Sequence, residues 1–124
     1  MIQSGTKLVV QDNSGGRIVE CIRVLNKKGR NTGSSGDFIV VSVKSLRKKG
    51  RIKIKKKEVC LALVIKLRSP FSRSSGVELK TSSNSCILLN RQFKCYGTRV
   101  FGTVYKEFRD KNQFKLLTLS SSYL

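Results

Sequence analysis

The sequence contains no histidine, and only seven of its 124 residues are acidic. Without histidine it lacks the commonest general base near neutral pH. The acids stand singly along the chain, so no pair of carboxylates suggests acid–base catalysis: Asp12, Glu20, Asp37, Glu58, Glu78, Glu107 and Asp110. No phosphate-binding loop and no nucleophile motif is present either. These absences argue against an enzyme.

The four cysteines give no metal-binding pattern. No two of them form a C-x-x-C pair, and histidine cannot complete a zinc site. Cys21, Cys60 and Cys86 each lie in an apolar run, which favours buried thiols over ligands, with Cys95 as the fourth. Disulfides remain open, although nothing suggests secretion. We therefore predict neither a metal nor a cofactor.

Long apolar runs are also missing. The longest are of strand length, so none is expected to cross a bilayer. The first residues, Met1 to Lys7, resemble neither a secretory signal nor a transit peptide. A protein held on a membrane surface by its lysines would need an amphipathic helix or a lipid anchor, and neither is visible. We expect no membrane partner.

Positive charge is abundant. Lysine and arginine number 26, the net charge is +19 and the pI is about 10.4, while 39% of the residues are hydrophobic. That apolar share suffices for the core of one domain. Such a charge excess favours a polyanionic partner, nucleic acid before an anionic membrane.

The densest basic stretch, residues 44–57, contains nine lysines and arginines and no acid. Apolar runs lie on both sides of it, and Gly50 falls near its middle, which predicts two core strands extended into a basic β-ribbon. Ile52 and Ile54 alternate with charged residues and give the ribbon a thin apolar face. The alternative is a solvated loop whose lysines prevent edge-to-edge aggregation. Repulsion among nine like charges makes that alternative less attractive.

Five or six short apolar runs separated by turn formers predict a small closed β-barrel, so the fold is mainly β. The predicted strands are Lys7–Gln11, Arg17–Leu25, Asp37–Lys44, Glu58–Leu67, an edge strand Val77–Lys80, and Asn84–Asn90. Residues 12–16 are predicted to form a turn, and residues 26–36 and 68–76 to form loops. The second strand is apolar on both faces, which predicts an outer cover for it.

The chain reads as one domain over residues 1–124, with the barrel at about 1–90 and a different C-terminal segment at about 91–124. In that segment, Tyr105 and Phe108, then Phe114 and Leu117, stand three apart, which predicts two short helices packed on the barrel. The tail around Ser120–Ser122 is expected to fray.

The order of several short motifs resembles one known family. The motifs are Met1-Ile2-Gln3, Asp12-Asn13-Ser14-Gly15, Cys21-Ile22 with Val24-Leu25, Gly36-Asp37, Val43-Lys44, Leu88-Leu89-Asn90, Gly97-Thr98-Arg99-Val100-Phe101-Gly102, and Glu107 with Arg109. Together they resemble the universal large-subunit ribosomal protein fourteen in its bacterial and organellar form, from Met1 to about Leu119. Each motif is weak alone, but eight in order make a specific match.

The resemblance implies a five-stranded barrel with a projecting β-ribbon and two small C-terminal helices. It implies a structural constituent of the large ribosomal subunit, bound to large-subunit rRNA and neighbouring ribosomal proteins. It further implies contacts with small-subunit rRNA across the subunit interface, and no homo-oligomer. Departures such as Thr103 and Lys80-Thr81, with the absence of an import signal, favour a mitochondrial ribosome in the matrix. Bacterial cytoplasm and chloroplast are the alternatives.

Two groups of residues are the candidates for binding. Lysines can reach several phosphates, and arginines can grip phosphate bidentately or stack on a base. The RNA-binding candidates are Arg17, Lys44, Arg47, Lys48, Lys49, Arg51, Lys53, Lys55, Lys56, Lys57, Lys66, Arg68 and Arg73. The candidates for an interface with protein or with the small subunit are Gly97, Thr98, Arg99, Phe101, Gly102, Lys106 and Arg109.

The main rival hypothesis is a free-standing basic RNA-binding factor or RNA chaperone with an OB-like barrel. Such a protein is expected to expose aromatic side chains for base stacking. In this sequence the few aromatics lie mostly in apolar contexts.

Overall fold

The computed structural model describes residues 2–25, 32–33, 36–48, 50, 52–68, 71–72, 76, 78–79, 81–97, 99–104 and 120–123. Nine strands lie in this part of the chain: β1 (Lys7–Val10), β2 (Gly16–Val24), β3 (Phe38–Leu46), β4 (Val59–Lys66), β5 (Phe71–Ser72), β6 (Glu78–Leu79), β7 (Ser85–Leu89), β8 (Val100–Val104) and β9 (Ser120–Tyr123). Five of them close a barrel in the order β1-β2-β3-β4-β7, with β1 parallel to β7. The predicted five-stranded barrel is confirmed.

The barrel core follows the predicted alternation. Ile39, Val41 and Val43 of β3 are fully buried, and so are their neighbours Val19 and Cys21 on β2. Successive side chains of a strand point to opposite faces, so every second residue enters the barrel. Each fully buried aliphatic side chain contributes roughly 1.5–3 kcal/mol relative to an exposed one.

A second apolar cluster covers the outside of β4 and β7. Leu63 and Ile65 of β4 pack there with Ile87 and Leu89 of β7, and Val100 completes the cluster. Every residue of β7 is therefore buried, on both faces of the strand. The sequence predicts an outer cover at β2 instead, and that expectation is wrong for Ile22, whose side chain is 45% exposed.

Outside the barrel, two small sheets differ from expectation. Phe71–Ser72 pairs antiparallel with Glu78–Leu79, so part of the predicted loop at 68–76 is a strand. Ser120–Tyr123 pairs in parallel with Val100–Val104, so the tail does not fray as predicted. The two helices predicted over residues 105–117 lie outside the described residues.

The basic stretch takes a different form from the predicted ribbon. β3 ends at Leu46 and β4 begins at Val59, and no described residue between them belongs to a strand. The last strand pair between the two arms is Ser42 with Val59, and two further backbone hydrogen bonds join Val43 to Lys57 and Glu58. β3 then continues along β2, while the other arm turns at Lys57, where φ is 66°. Residues 44–46 extend β3 as predicted, but for the described residues of 47–57 the β-ribbon prediction is wrong.

Ile54 explains why this segment folds back over the barrel. Its side chain is only 3% exposed and joins the barrel core. A Cβ atom on Gly16 would lie 2.9 Å from Ile54 Cδ1 and 3.1 Å from Leu88 Cδ1, so Ile54 fills the end of the barrel at this point. A projecting ribbon would leave this side chain in water. We call residues 47–58 the fold-back segment.

Trimming the two isoleucines of this segment is expected to have unequal effects. Ile54→Val removes a buried methylene and should lower the free energy of unfolding by about 0.5–1.5 kcal/mol. Ile52→Val is the matched control, because Ile52 is 45% exposed and its change should stay within about 0.5 kcal/mol. Urea denaturation of the two variants measures the difference. Equal losses would show that Ile54 does not fill the core.

Candidate nucleic-acid interface

One end of the barrel gathers most of the predicted binding residues. The turn Gln11–Gly15, the start of β2 and the end of β3 meet there, since Gly16 pairs with Leu46. The fold-back segment closes the same end. We call this region the basic end of the barrel.

Asp12 organises the turn at the basic end. It is 2% exposed, and its Oδ1 accepts hydrogen bonds from the backbone N–H of Ser14 at 3.1 Å and from the Ser14 hydroxyl. Its Oδ2 accepts the backbone N–H of Leu88 at 3.0 Å. A buried carboxylate is tolerated when donors satisfy both oxygens. Asp12 thereby fastens the turn to β7.

The predicted interface segment packs on this turn. Asn13 Oδ1 accepts the backbone N–H of Arg99 at 3.1 Å, and the backbone N–H of Phe101 donates to the carbonyl of Gln11 at 2.6 Å. Gly97 is buried, and a Cβ there would lie 2.7 Å from Asn13 Oδ1. Glycine is thus needed at 97 for close packing on the turn.

The fold-back segment lies on the other side of the turn. The carbonyl of Ser14 accepts the backbone N–H of Lys53 at 2.8 Å, and the carbonyl of Gly15 accepts that of Arg47 at 2.8 Å. The Lys53 Nζ also donates to the carbonyl of Tyr96, the residue before the interface segment, at 3.0 Å. The two groups of candidates, separate in sequence, therefore form one surface around the turn.

This surface is the observation that bears on family membership. A closed five-stranded barrel is what the sequence resemblance predicts, and two of the motifs that carry the resemblance, Asp12–Gly15 and the segment 97–101, meet at its basic end. The family model described as ribosomal protein L14p/L23e matches residues 1–124. The chain belongs to the ribosomal protein L14p/L23e family. It is accordingly a structural constituent of the large ribosomal subunit, located in ribosomes, and the family is not enzymatic.

Within this L14p/L23e chain, the RNA-binding candidates divide into three groups. Those at or beside the basic end are Arg17, Lys44, Arg47, Lys48, Lys53, Lys55, Lys56 and Lys57; Arg47 is half-buried and the others are exposed. Lys66 and Arg68 lie at the opposite end of β4, and Lys66 is buried, so its pKa is lowered by desolvation. Lys49, Arg51 and Arg73 lie outside the described residues.

The interface candidates are similarly divided. Arg99 is exposed and Phe101 is 40% exposed, whereas Gly97 is buried against the turn. Only the backbone of Gly102 is described, as part of β8. Thr98, Lys106 and Arg109 lie outside the described residues.

Sequence reasoning missed the role of the turn itself. Asp12 to Ser14 reads as a string of turn formers, but the structure gives these residues contacts with β7, the segment 97–101 and the fold-back segment. The available signal was a lone acid beside Asn and Ser in a very basic chain. This composition does not indicate which backbone groups, distant in sequence, the side chains of Asp12 and Asn13 contact.

The cysteines belong to the core. Cys21, Cys60 and Cys86 are free thiols and are buried as predicted. Burial, followed by the nearby charges of Glu58 and Asp12, raises the pKa of the Cys60 thiol to about 11. In the described part of the chain, no cluster of three or more Cys, Asp or Glu is arranged to hold a metal ion, and no helix could cross a membrane.

Proposed function

We propose that this L14p/L23e protein binds large-subunit rRNA through the basic end of its barrel. The observation that carries the proposal is the set of exposed, uncompensated cations there. Arg17, Lys48, Lys56 and Lys57 have no ion-pair partner among the described residues, while Lys44 lies 3.9 Å from Glu20. Uncompensated cations attract a polyanion strongly. The fold-back segment holds Lys48, Lys56 and Lys57 on a surface fixed by Ile54 and by backbone hydrogen bonds, and Arg17 is held by β2.

The expected mode of binding is phosphate recognition. Folded RNA is read mainly through its shape, its phosphates and its 2′-hydroxyls, because side chains cannot enter its deep major groove. The lysines at 55–57 stand together at a turn that the Glu58 carboxylate braces by accepting the Lys55 N–H at 2.9 Å. They can therefore reach neighbouring phosphates from a fixed backbone. Lys66 is not part of the proposed surface.

We further propose that the segment 97–101 contributes to contacts across the subunit interface. Arg99 and Phe101 leave the turn towards solvent, next to the proposed rRNA surface. Thr98, Gly102, Lys106 and Arg109 are the other candidates for this contact. The same protein would then touch large-subunit rRNA, neighbouring ribosomal proteins and small-subunit rRNA. We further propose that it belongs to the mitochondrial ribosome, because residues such as Thr103 and Lys80-Thr81 depart from the usual pattern of the family.

A tagged pulldown tests the role and the compartment together. Mitochondrial and cytosolic extracts are washed in about 0.5 M salt, which screens isolated surface charges to within a few ångströms. We expect the mitochondrial large-subunit RNA to remain with the tagged protein. Release at that salt, or recovery of assorted RNAs, would favour the free-standing RNA-binding factor. Recovery from the cytosolic extract alone would contradict the mitochondrial assignment only.

Single lysine substitutions test which end of the barrel meets RNA. Lys56→Gln should reduce the slope of log affinity against log salt by about 1, the value expected for one lost phosphate contact. Lys7→Gln removes the same charge from the start of β1, away from the basic end, and should leave the slope unchanged. Fluorescence anisotropy with a large-subunit RNA fragment, between about 50 and 200 mM salt, measures both slopes. If the two variants have the same slope of log affinity against log salt, the RNA does not bind at the basic end of the barrel.

A further inference from the structure

An open cleft lies beside the turn at the basic end. Val9, Val10, Arg17, Arg47 and Lys48 line a volume of about 360 Å³. Pockets for small molecules have roughly 300–1,000 Å³, so this one is of a size for a single small group. Its lining combines the exposed side chain of Val9 with three cationic side chains, while the side chain of Val10 is buried in the core. That combination fits a ligand with an anionic part and an apolar part.

Arg47 is held in a fixed position in this cleft. Its guanidinium carbon lies 4.9 Å from the centre of the Phe101 ring, within the range of a cation–π contact, and its Nη2 is 3.4 Å from the Val10 carbonyl. The planar group is therefore already oriented by the protein. Such a plane can stack on a nucleobase with its other face.

The remaining groups of the cleft are available to a ligand. Arg17 and Lys48 are exposed and form no ion pair with any described residue. Val9 is 42% exposed and Phe101 is 40% exposed, which leaves apolar surface next to these charges. Phosphate alone would use the cations and leave this apolar surface in water. A base attached to the phosphate would cover it.

We propose that this cleft binds one unpaired nucleotide of RNA. Arg17 and Lys48 hold its phosphate, and its base stacks beside Val9 on the face of the Arg47 guanidinium that is turned away from Phe101. In a duplex the bases are stacked on one another and cannot enter, so the cleft selects a looped-out or single-stranded nucleotide. This inference rests on the proposed binding of rRNA and specifies which feature of the RNA is recognised at this point.

Two probes of equal charge test the proposal. One is a fluorescent ten-nucleotide oligoadenylate, and the other is the abasic ribose–phosphate chain of the same length. We expect the wild-type protein to bind oligoadenylate about tenfold more tightly, because base stacking adds to the phosphate contacts. Arg47→Lys keeps the charge but removes the plane, so the preference should disappear while affinity for the abasic chain stays within about twofold. Lys56→Gln, the control, should weaken both probes equally.

A second variant and a second signal keep the test independent of folding. Phe101→Leu retains apolar bulk without the ring, and its melting temperature reports whether the barrel remains intact. With 2-aminopurine in the oligonucleotide, binding to the wild-type protein should change the fluorescence of this base. The change should be smaller with Arg47→Lys and with Phe101→Leu. Unaltered signals in both variants would overturn the cleft as the stacking site.

The outcomes separate this inference from the proposed function. Equal wild-type affinity for the two probes would overturn the nucleotide cleft and leave rRNA binding intact. Absence of binding to both probes and to a large-subunit RNA fragment would overturn the proposed function as well. If a ten-residue polyglutamate displaced oligoadenylate as effectively as unlabelled oligoadenylate does, the cleft would be a site for acidic peptide.

Discussion

Gly15→Ala is expected to lower the free energy of unfolding by about 3–5 kcal/mol. Gly15 has a φ of +108°, which side chains other than glycine rarely adopt. A Cβ at this position would also lie 2.8 Å from the Cα of Ile52. The obstacle is backbone, so a change of rotamer cannot relieve it. The fold-back segment would have to move away from the turn.

The control for this prediction is Gly50→Ala. Gly50 has a similar φ of +98°, but a Cβ there would meet nothing within 4 Å among the described atoms. It should therefore show only the backbone strain, about 1–2 kcal/mol. Thermal and urea denaturation measure both variants. Losses of equal size would mean that the contact between Gly15 and Ile52 does not constrain the fold.

Gly15→Ala should also weaken RNA binding. If the fold-back segment moves, the Lys53 N–H loses its bond to the Ser14 carbonyl and exchanges faster with solvent. The cations that the segment presents then lose their fixed positions. We expect the exchange of the Lys53 amide and the fall in RNA affinity to appear together. Faster exchange with undiminished affinity would show that the cations bind without a fixed backbone.

Asp12→Ala is expected to lower the free energy of unfolding by about 3–4 kcal/mol. Three donors lose their acceptor, including the backbone N–H of Leu88 inside the barrel wall. Each buried donor left unpaired costs about 1–3 kcal/mol. The total stays below three times that cost, because some of the three donors can form a hydrogen bond with water instead. Glu20→Gln is the control, since its 3.9 Å contact with Lys44 is partly exposed and is worth at most about 1 kcal/mol.

RNA affinity gives Asp12→Ala a second, sharper test. The substitution raises the net positive charge by one, so electrostatics alone predicts tighter binding. The structure predicts the opposite, because the turn that Asp12 fastens also positions Arg47, Lys53 and Arg99. Anisotropy with an rRNA fragment at low salt, below the melting temperature of the variant, distinguishes the two. Tighter binding would mean that the turn does not organise the surface.

Local patterns predicted the barrel well. The alternation at Ile39, Val41 and Val43 marks a half-buried strand whatever its neighbours are, and turn formers at Asp12 to Gly16 separate β1 from β2. A small closed barrel followed from the number and spacing of the strands, and the family resemblance set the number of strands at five. These features depend on residues that are close in sequence, which is why the sequence alone was sufficient.

The form of the basic stretch could not be predicted in the same way. Alternation at Ile52 and Ile54 is compatible with a ribbon and with a segment that folds back. The choice depends on a space beside Gly16 that Ile54 fills, and this space exists only after β2 and β7 have come together. The β-ribbon was predicted from a local alternation, but the conformation of this segment is set by the packing of Ile54 beside Gly16, which is distant in sequence.

The sequence identified candidate binding residues, but it did not show which of them lie on one surface. Lys66 and Lys56 have equal weight in a count of charges, yet one is buried at the far end of β4 and the other is exposed at the basic end. Likewise, nothing in the sequence pairs Arg47 with Phe101, whose contact depends on the turn that both segments cover. The end of the barrel at which a cation lies, and whether it is exposed there, decide which cations form one binding surface. Residue type alone does not.

The pairing of β1 with β7 also governs when the protein can fold. Val9 and Val10 pair with Ser85 and Cys86, so β1 cannot complete its pairing until β7, the last strand of the barrel, has been synthesised. Ring closure over such a separation is slow compared with hairpin formation, and until it occurs one edge of β1 stays unpaired. A ribosome adds about 5–20 residues per second, so a growing chain carries this open edge for several seconds. The barrel is thus completed late in synthesis, when most of its positive charge has already emerged.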